Sequence, residues 1–430
     1  MFDVDQVRLA GSEHRLPRML PVRQRFAAGS VPDVQTALAD QVAAHDRANP
    51  LSGKRIAVAV GSRGVARIDE VTAELVAALV ARGAKPFVVP AMGSHGGGTA
   101  DGQRQVLADY GVTEESVRAP VVSSMDTVVI AHLPDGTPVH FDAEAAAADG
   151  VVVVNRVKPH TDFKGEHESG LAKMLAIGLG KHEGATTLHS HGFGAFPHLI
   201  PAAAQAALDN APVEFGVAVV ENAYEDIAEL ELVPAQGMLE REAELLVRAK
   251  QLLPRLLFPR IDVLVVDEIG KDISGAGMDP NITGRAPVTG DGFADVAISQ
   301  IVVLGLTERT HGNACGLGIA DVTTQRCLDG IDFGSFYTNS LTSGVAVSAK
   351  IPMALADDRQ AIIAALHMAR GTGRAPRVVR MRNTLSLIEL EVSEALADEV
   401  ADHPDLSATG PPVHWDFDAA TGRLLPAAAG

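Results

Sequence analysis

Residues 54–92 read KRIAVAVGSRGVARIDEVTAELVAALVARGAKPFVVPAM. Within this stretch, KRIAVAVGS (54–62) and KPFVVPAM (85–92) are short apolar runs typical of buried strands. Between them, RIDEVTAELVAALVARG (67–83) carries apolar residues at helical spacing and stops at a glycine, a common helix end. A strand, a helix and a second strand of this length predict a parallel β–α–β unit with a right-handed crossover, which belongs to the α/β class.

The alternation continues on the carboxyl side. A hairpin is predicted over residues 119–142 with its turn at Asp135-Gly136, followed by a buried strand at GVVVVNRVKP (150–159). After two prolines near residue 255, IDVLVVDEIG (261–270) opens a second series. We therefore predict two α/β domains with mostly parallel sheets, residues 1–255 and 256–430, and an active-site cleft between them.

Composition narrows the class of protein. The 430 residues are 47% hydrophobic, and 54 acidic against 36 basic residues give a net charge of −18, which argues against nucleic acid or an anionic membrane as partner. Cys315 and Cys327 are the only cysteines, too few for a thiolate metal cluster. The sequence has no apolar run of membrane-spanning length and no secretory leader pattern, so we expect a cytoplasmic protein.

Histidine and lysine are concentrated in one region. Nine of the 15 histidines lie within residues 95–198, together with four of the nine lysines, Lys158, Lys164, Lys173 and Lys181. We expect the chemistry of the protein to reside here.

The first motif is GSHGGGTAD (93–101), between a predicted strand and helix. Its glycines allow the backbone close to a ligand, and a helix start capped by Thr99 favours an anion. His95 would lie at the carboxyl end of a strand, where open α/β sheets bind ligands. The alternative is a glycine-rich turn with an incidental histidine.

The second motif is NRVKPH (155–160), which ends in His160. Two histidines that follow strands of one sheet can face one crevice, and imidazole titrates near neutrality as a general acid or base must. If two such histidines lie on opposite faces of a substrate carbon, they can act as the two bases that inversion of a stereocentre requires. The alternative for His160 is a solvated loop position, and Lys158, Lys164 and Lys181 are predicted to contact anions.

The third and fourth motifs are SGLAKMLAIG (169–178) and LHSHGFG (188–194). Apolar and small neighbours favour an uncharged, nucleophilic amine at Lys173 that is available for covalent attachment, although a lysine on a half-buried helix also extends to solvent. His189 and His191 form an HxH pair that can ligate a metal.

Two further features are candidate substrate contacts. Arg63 follows the first strand and can clamp a carboxylate. The glycine-rich loop at 270–285 is unusually long, and long loops in compact domains are commonly functional. Its residues Lys271, Asp272, Asn281 and Arg285 are predicted to face the cleft.

Taken in this order, the motifs resemble the nickel-dependent lactate racemase family, chiefly over residues 55–195. His95 resembles that family's GTH histidine and His160 its second acid/base histidine. Lys173 resembles the lysine that tethers a nickel-pincer nucleotide, pyridinium-3,5-bisthiocarboxylic acid mononucleotide nickel. His189 resembles the nickel-ligating histidine, and Arg63 the arginine that anchors substrate.

The resemblance implies racemisation or epimerisation of a 2-hydroxy acid by reversible hydride transfer to the tethered cofactor. It also implies cofactor-synthesis enzymes as partners and a carboxyl-terminal segment that packs back on the first domain. The predicted cofactor contacts besides Lys173 are Ser94, Gly96, Gly97, Thr99 and Lys158.

This chain departs from the family pattern in two places. The Asp-x-Thr-Arg element reads Val60-Gly-Ser-Arg63, and SGAGMDPNITGR (274–285) contains no match to the family's glutamine and lysine substrate contacts. We therefore expect a different or larger 2-hydroxy acid than lactate, or a sugar acid epimerised at C2.

Two other functions stay open from the residues alone. One is a zinc-dependent hydrolase or lyase that uses the histidine cluster. The other is a non-enzymatic protein that binds a metal or a nucleotide.

Overall fold

The computed structural model of the chain describes residues 16–61, 64–288, 292–369 and 374–425. Two compact units make up the chain. The central unit is Ala27–Leu253, and the terminal unit joins Pro254–Gly430 to the amino-terminal segment that ends at Phe26. Strands and helices are numbered here in chain order.

The central unit alternates strands and helices through most of its length. Its strands are β2 (Arg55–Val60), β3 (Lys85–Pro90), β4 (Thr127–His132), β5 (Pro138–Asp142), β6 (Gly150–Arg156), β7 (Val213–Glu221) and β8 (Ile227–Pro234). Its helices are α1 (Val34–Ala48), α2 (Ile68–Ala81), α3 (Ala100–Asp109), α4 (Glu114–Val117), α5 (Ala143–Ala146), α6 (Leu171–Lys173), α7 (Lys181–His189), α8 (Phe196–Asn210) and α9 (Met238–Leu252).

Five strands of this unit form one sheet in the order β3-β2-β6-β7-β8. The first four run parallel, and β8 pairs antiparallel with β7. Along β2, Ala57 and Ala59 enter one hydrophobic cluster, whereas Ile56, Val58 and Val60 enter the other. Because successive side chains of a strand point to opposite faces, this division shows a sheet buried on both sides, which explains the continuous apolar runs.

The terminal unit contains a second sheet, of eight strands. Its strands are β1 (Met19–Gln24), β9 (Arg260–Val266), β10 (Ala297–Val303), β11 (Val322–Thr324), β12 (Met353–Leu355), β13 (Val378–Met381), β14 (Glu389–Ser393) and β15 (Leu406–Ala408). Its helices are α10 (Pro280–Thr283), α11 (Gln325–Asp329), α12 (Phe333–Ser343), α13 (Asp358–Met368) and α14 (Ala397–Asp402). The strand order is β12-β11-β10-β9-β13-β14-β1-β15.

Both large sheets are mostly parallel, so the predicted class of two α/β domains is confirmed. β4 and β5 form a separate antiparallel hairpin. In the terminal sheet the neighbouring strands β12, β11, β10, β9 and β13 run parallel. The pairs β13–β14, β14–β1 and β1–β15 are antiparallel. No helix among the described residues is long and apolar enough to cross a membrane.

The domain limits differ from the prediction at the amino terminus. The chain divides after Leu253, close to residue 255, but β1 pairs with β14 and β15 and so belongs to the terminal unit. Met19 and Val22 of this strand are buried there. The described end of the chain also stays with the terminal unit, where Val413 exchanges backbone hydrogen bonds with Met19. The cleft between the domains stays a prediction.

Candidate active site

A cavity of about 130 Å³ lies at the carboxyl ends of β2, β3 and β6 in the central unit. This is the edge at which parallel α/β sheets bind ligands. The strand order changes direction at β2, because β3 lies on one side of it and β6 on the other. The cavity is lined by Gly61, Ala91, Met92, Gly93, Ser94, His95, Asn155, Arg156, Lys158, Ser169, Lys173, Met174, Ile177, Gly178, Ala185 and His189.

The loop that presents His95 is fixed by glycines and by one buried glutamine. Gly96, Gly97 and Gly98 all have φ near +65°, a conformation that side chains rarely adopt. The side chain of Gln103, fully buried on α3, donates from Nε2 to Gly93 O at 2.7 Å and to His95 O at 3.3 Å. The backbone of the loop is therefore held in place beneath His95.

The segment after β6 is held by the buried carboxylate of Glu168. This group accepts from the backbone N–H of His160 at 2.6 Å and pairs with Lys164 at 3.3 Å and with Lys250 at 2.7 Å. Lys158 and Ser169 exchange two backbone hydrogen bonds of 2.9 and 3.1 Å. These contacts fold the chain back so that His160 meets the start of α6. They also make Lys164 an internal ion-pair partner rather than the predicted anion contact.

The start of α6 is set by a close approach of Glu242 to Gly170. The Glu242 carboxylate accepts from the backbone N–H of Ala172 at 2.6 Å, and a Cβ at Gly170 would lie 2.8 Å from its carboxyl carbon. A buried acid at a helix start satisfies an amide that has no partner within the helix. This contact fixes the helical turn that carries Lys173.

Lys173 and His160 are in direct contact. Lys173 Nζ lies 2.5 Å from His160 Nε2, while His160 Nδ1 accepts from the backbone N–H of Asp162 at 3.0 Å. The chain then passes through a π-helical turn, Met174–Gly178, a feature found often at functional sites. A Cβ at Gly178 would lie 2.7 Å from Ala91 O, so this turn can pack directly on the end of β3.

His189 ends α7 and its ring orientation is defined by the helix. Nδ1 lies 2.6 Å from Ala185 O, and since a carbonyl only accepts, Nδ1 carries the proton. The neutral ring then has its lone pair on Nε2, the form in which histidine ligates a metal. Phe193 and Phe196 make nearly perpendicular, edge-to-face contacts with the His189 ring.

Lys181 is not the predicted anion contact. Its side chain is fully buried and pairs with Asp142, also buried, at 2.8 Å, and Nζ donates to Pro90 O at 2.5 Å. The partner lies on the hairpin 39 positions earlier in the sequence. Burial lowers the pKa of the Lys181 ammonium, and the charge of Asp142 opposes that shift.

The cavity is cationic within an acidic chain. Arg156 and Lys158 line it, and none of the described lining residues is acidic. Arg156 is paired through Nη1 with Glu221, and its buried Nε makes no hydrogen bond within the described part of the chain. Because the chain carries a net charge of −18, this local concentration of positive charge identifies a place suited to an anion.

The predicted site residues are thus divided between the two units. His95, Ser94, Lys158, Lys173 and His189 line one cavity, and His160 contacts Lys173. Gly96, Gly97 and Thr99 form the adjoining turn, where Thr99 caps α3 by accepting from Gly102 N. They are not among the cavity's lining residues.

The remaining predictions fall elsewhere. Arg63 lies outside the described residues. Lys271, Asn281 and Arg285 belong to the terminal unit and have contacts inside it: Lys271 Nζ with Gly275 O, Asn281 with Asp279, and Arg285 with Asp321. Their roles toward substrate stay predictions.

Sequence reasoning missed four residues that build the site. Arg156 is the last residue of β6, after its apolar run, and a cation at the end of a buried strand could have indicated an anion site. Gln103, Glu168 and Glu242 act through contacts with the backbone of distant segments. No local pattern indicates those contacts.

The described residues contain no group of three or more histidine, cysteine or acidic side chains placed to hold a metal ion. The site does suit a group that brings its own donors, because it offers the His189 imidazole and an amine at Lys173. Gly61 and Gly93 also line the cavity, and a Cβ at either would lie 3.3 Å from the side chains of other lining residues, Met174 and Ile177 respectively.

Comparisons with known proteins show similarity to solved structures. No protein-family model matches the chain, and no curated protein matches its sequence. Among solved structures, the lactate racemase apoprotein from Thermoanaerobacterium thermosaccharolyticum aligns over 86% of this chain and 89% of that chain, with 13% identity and a TM-score of 0.42. A similarity of this size does not define an activity. Fold and site together describe a two-unit α/β protein with a cationic, histidine-bearing cavity at its strand ends.

Proposed function

We propose that the chain is a racemase or epimerase of a 2-hydroxy acid that works with a nickel-pincer nucleotide tethered to Lys173. The observation that carries the proposal is the meeting of His95, Lys173 and His189 in one cationic cavity, with His160 in contact with the lysine. A lone histidine or lysine at a strand end would not support it.

The residues fit the proposed group. Lys173 would form the tether, and His189 Nε2 would be the chain's ligand to nickel, whose other, soft donors would come from the cofactor. Lys158 would balance its anionic groups, together with the turn formed by Ser94, Gly96, Gly97 and Thr99.

The chain's own residues would orient the substrate and move protons. When bound, the cofactor supplies a reversible acceptor for the hydride on Cα of the substrate. His95 and His160 would take and return the proton of the hydroxyl oxygen, one for each enantiomer. Arg156 would hold the substrate carboxylate, and Arg63, Lys271, Asn281 and Arg285 are the further substrate contacts proposed from the sequence.

Cofactor-synthesis enzymes would be the partners, and the cytoplasm the compartment. The substrate would be a different or larger 2-hydroxy acid than lactate, or a sugar acid epimerised at C2. The missing aspartate of Val60-Gly-Ser-Arg63 and the unmatched substrate contacts in residues 274–285 support this proposal.

Isotope labelling tests the reaction. Protein produced together with cofactor-synthesis enzymes is incubated with a panel of 2-hydroxy acids that carry deuterium at Cα. Hydride transfer predicts inversion with the deuterium retained in ordinary water, and loss of activity in Lys173→Ala and His189→Ala. Activity that survives Lys173→Ala but is lost to a zinc chelator would instead indicate a hydrolase or lyase. Stoichiometric binding without any change in optical rotation would indicate a carrier.

A further inference from the structure

The hydrogen bonds around His160 determine which of its nitrogens carries the proton. The backbone N–H of Asp162 can only donate, and it points at Nδ1 from 3.0 Å. Nδ1 must therefore present a lone pair, and the neutral imidazole carries its proton on Nε2.

This proton points at Lys173. Nζ lies 2.5 Å from Nε2, and an N–H bond directed at Nζ requires a lone pair there. An ammonium has three N–H bonds and no lone pair, whereas an uncharged amine has one. The contact is therefore satisfied only when Lys173 is an uncharged amine.

The charges that face Lys173 act in the same direction. Arg156 and Lys158 from β6 and the loop after it, His95 from the loop after β3, and His189 from α7 line the cavity with it, and none of its described lining residues is acidic. Two acids of the neighbouring segment are directed at other atoms: Glu168 binds the backbone N–H of His160, and Asp162 Oδ2 lies 3.7 Å from His160 Nδ1. The positive charges of Arg156 and Lys158 disfavour an additional ammonium in the same cavity.

We propose that His160 holds Lys173 as an uncharged, nucleophilic amine in the unloaded chain, and that acylation of this amine releases His160. The lysine then attacks an acyl donor: the N–C bond forms, the bond from the acyl carbon to the leaving group breaks, and the leaving group departs with its electron pair and takes up the N–H proton that the nitrogen loses. The acylated nitrogen has no lone pair to offer, so Nε2–H loses its acceptor and turns to the occupant of the cavity. This inference deepens the proposed function by giving His160 a positioning role before it meets substrate.

Cyanate is a suitable probe because it is small and anionic and reacts with uncharged amines by addition. The amine nitrogen bonds to the cyanate carbon, a C–N π bond opens, and the proton moves to the cyanate nitrogen, so nothing leaves. Purified chain without cofactor is exposed briefly to cyanate, and carbamylation of each lysine is followed by peptide mass spectrometry. Exposed Lys85 and Lys350 serve as internal references, and fully buried Lys181 as a shielded control.

An ordinary lysine amine is uncharged in roughly one molecule in a few thousand at pH 7. We expect Lys173 to react at least about a hundredfold faster than Lys85 and Lys350 at that pH. The reacting species is isocyanic acid, whose concentration falls with pH equally for every lysine, so the rates are compared as ratios. The ratio of the Lys173 rate to the reference rates should fall about tenfold per unit between about pH 7 and pH 9, because only the reference amines gain uncharged molecules in that range. His160→Phe, which keeps a ring but removes the donor, should slow Lys173 at least about tenfold, and His160→Gln, which restores an N–H, should recover part of the rate.

Release of His160 has its own readout. In protein labelled with ¹⁵N-histidine, the Nε2-bound proton of His160 should give a slowly exchanging resonance that disappears once Lys173 is carbamylated. A Lys173 rate that follows the references with pH, or a resonance that persists after carbamylation, would overturn the inference. Neither result depends on the cofactor, so the proposed racemase function would still stand if cofactor-loaded protein carries its group on Lys173.

Discussion

Lys181 Nζ lies 2.8 Å from Asp142 Oδ2, and both side chains are fully buried. The same Nζ donates to Pro90 O at the end of β3. Lys181 begins α7, the helix that ends in His189, and Asp142 ends β5 and caps α5 by accepting from Ala145 N. One ammonium thus joins the hairpin, the strand that leads to His95 and the helix that carries His189.

Removing one partner of this pair should destabilise the protein strongly. Lys181→Met leaves the Asp142 carboxylate buried without its countercharge, which costs about 3–5 kcal/mol of unfolding free energy. The double change Lys181→Met with Asp142→Asn should cost clearly less, because no isolated charge is left and asparagine can still cap α5. Urea unfolding of the three proteins measures these differences, and equal losses in the single and double variants would contradict the account.

The same pair makes stability depend on pH in the alkaline range. Burial lowers the pKa of the Lys181 ammonium below 10.5, with Asp142 acting in the opposite direction. Between the lowered pKa and 10.5 the unfolded chain binds more protons than the native chain, so the free energy of unfolding rises with pH across that window. Urea unfolding between neutral pH and about pH 10 should show this rise relative to the double variant. Parallel curves for the two proteins would contradict it.

Arg156 should govern the affinity of the cavity for anions. Its guanidinium lines the cavity and has a buried Nε without a hydrogen bond to the described residues. Arg156→Gln should weaken the binding of a 2-hydroxy acid at least about tenfold, as expected for loss of a hydrogen bond to a charged group. Arg241→Gln is the matched control, since Arg241 pairs with Glu231 on the surface of the same unit. Calorimetric titration at two salt concentrations makes the comparison, and equal affinities in the two variants would remove Arg156 from the site.

Local sequence patterns were sufficient to predict strands of the central sheet and the sheet edge at which His95 and Lys158 lie. The apolar runs at 54–62 and 85–92 became β2 and β3 because both faces of that sheet are buried, and the intervening periodicity became α2. The rule that ligands lie at the carboxyl ends of parallel strands then brought His95 and Lys158 to one edge. Spacing alone could not show that Lys173 touches His160, because that contact depends on Glu168 and Glu242.

Long-range pairing explains what the patterns did not reveal. β1 is a six-residue strand whose partner β14 lies some 370 positions away in the sequence, so the amino terminus read as part of the first domain. Lys181 lies among glycines and polar residues and was predicted to contact an anion, yet its side chain is buried against Asp142. In both cases the decisive partner comes from a segment that no local window contains.

The central claim is that Lys173 carries a nickel-bearing nucleotide. Intact-mass and peptide-mass analysis of protein produced together with cofactor-synthesis enzymes, combined with metal quantification, tests it most directly. The account predicts a covalent mass increase on Lys173 and one nickel per chain, both lost in Lys173→Ala, with nickel alone lost in His189→Ala. Active, natively produced protein in which Lys173 is unmodified would contradict the account.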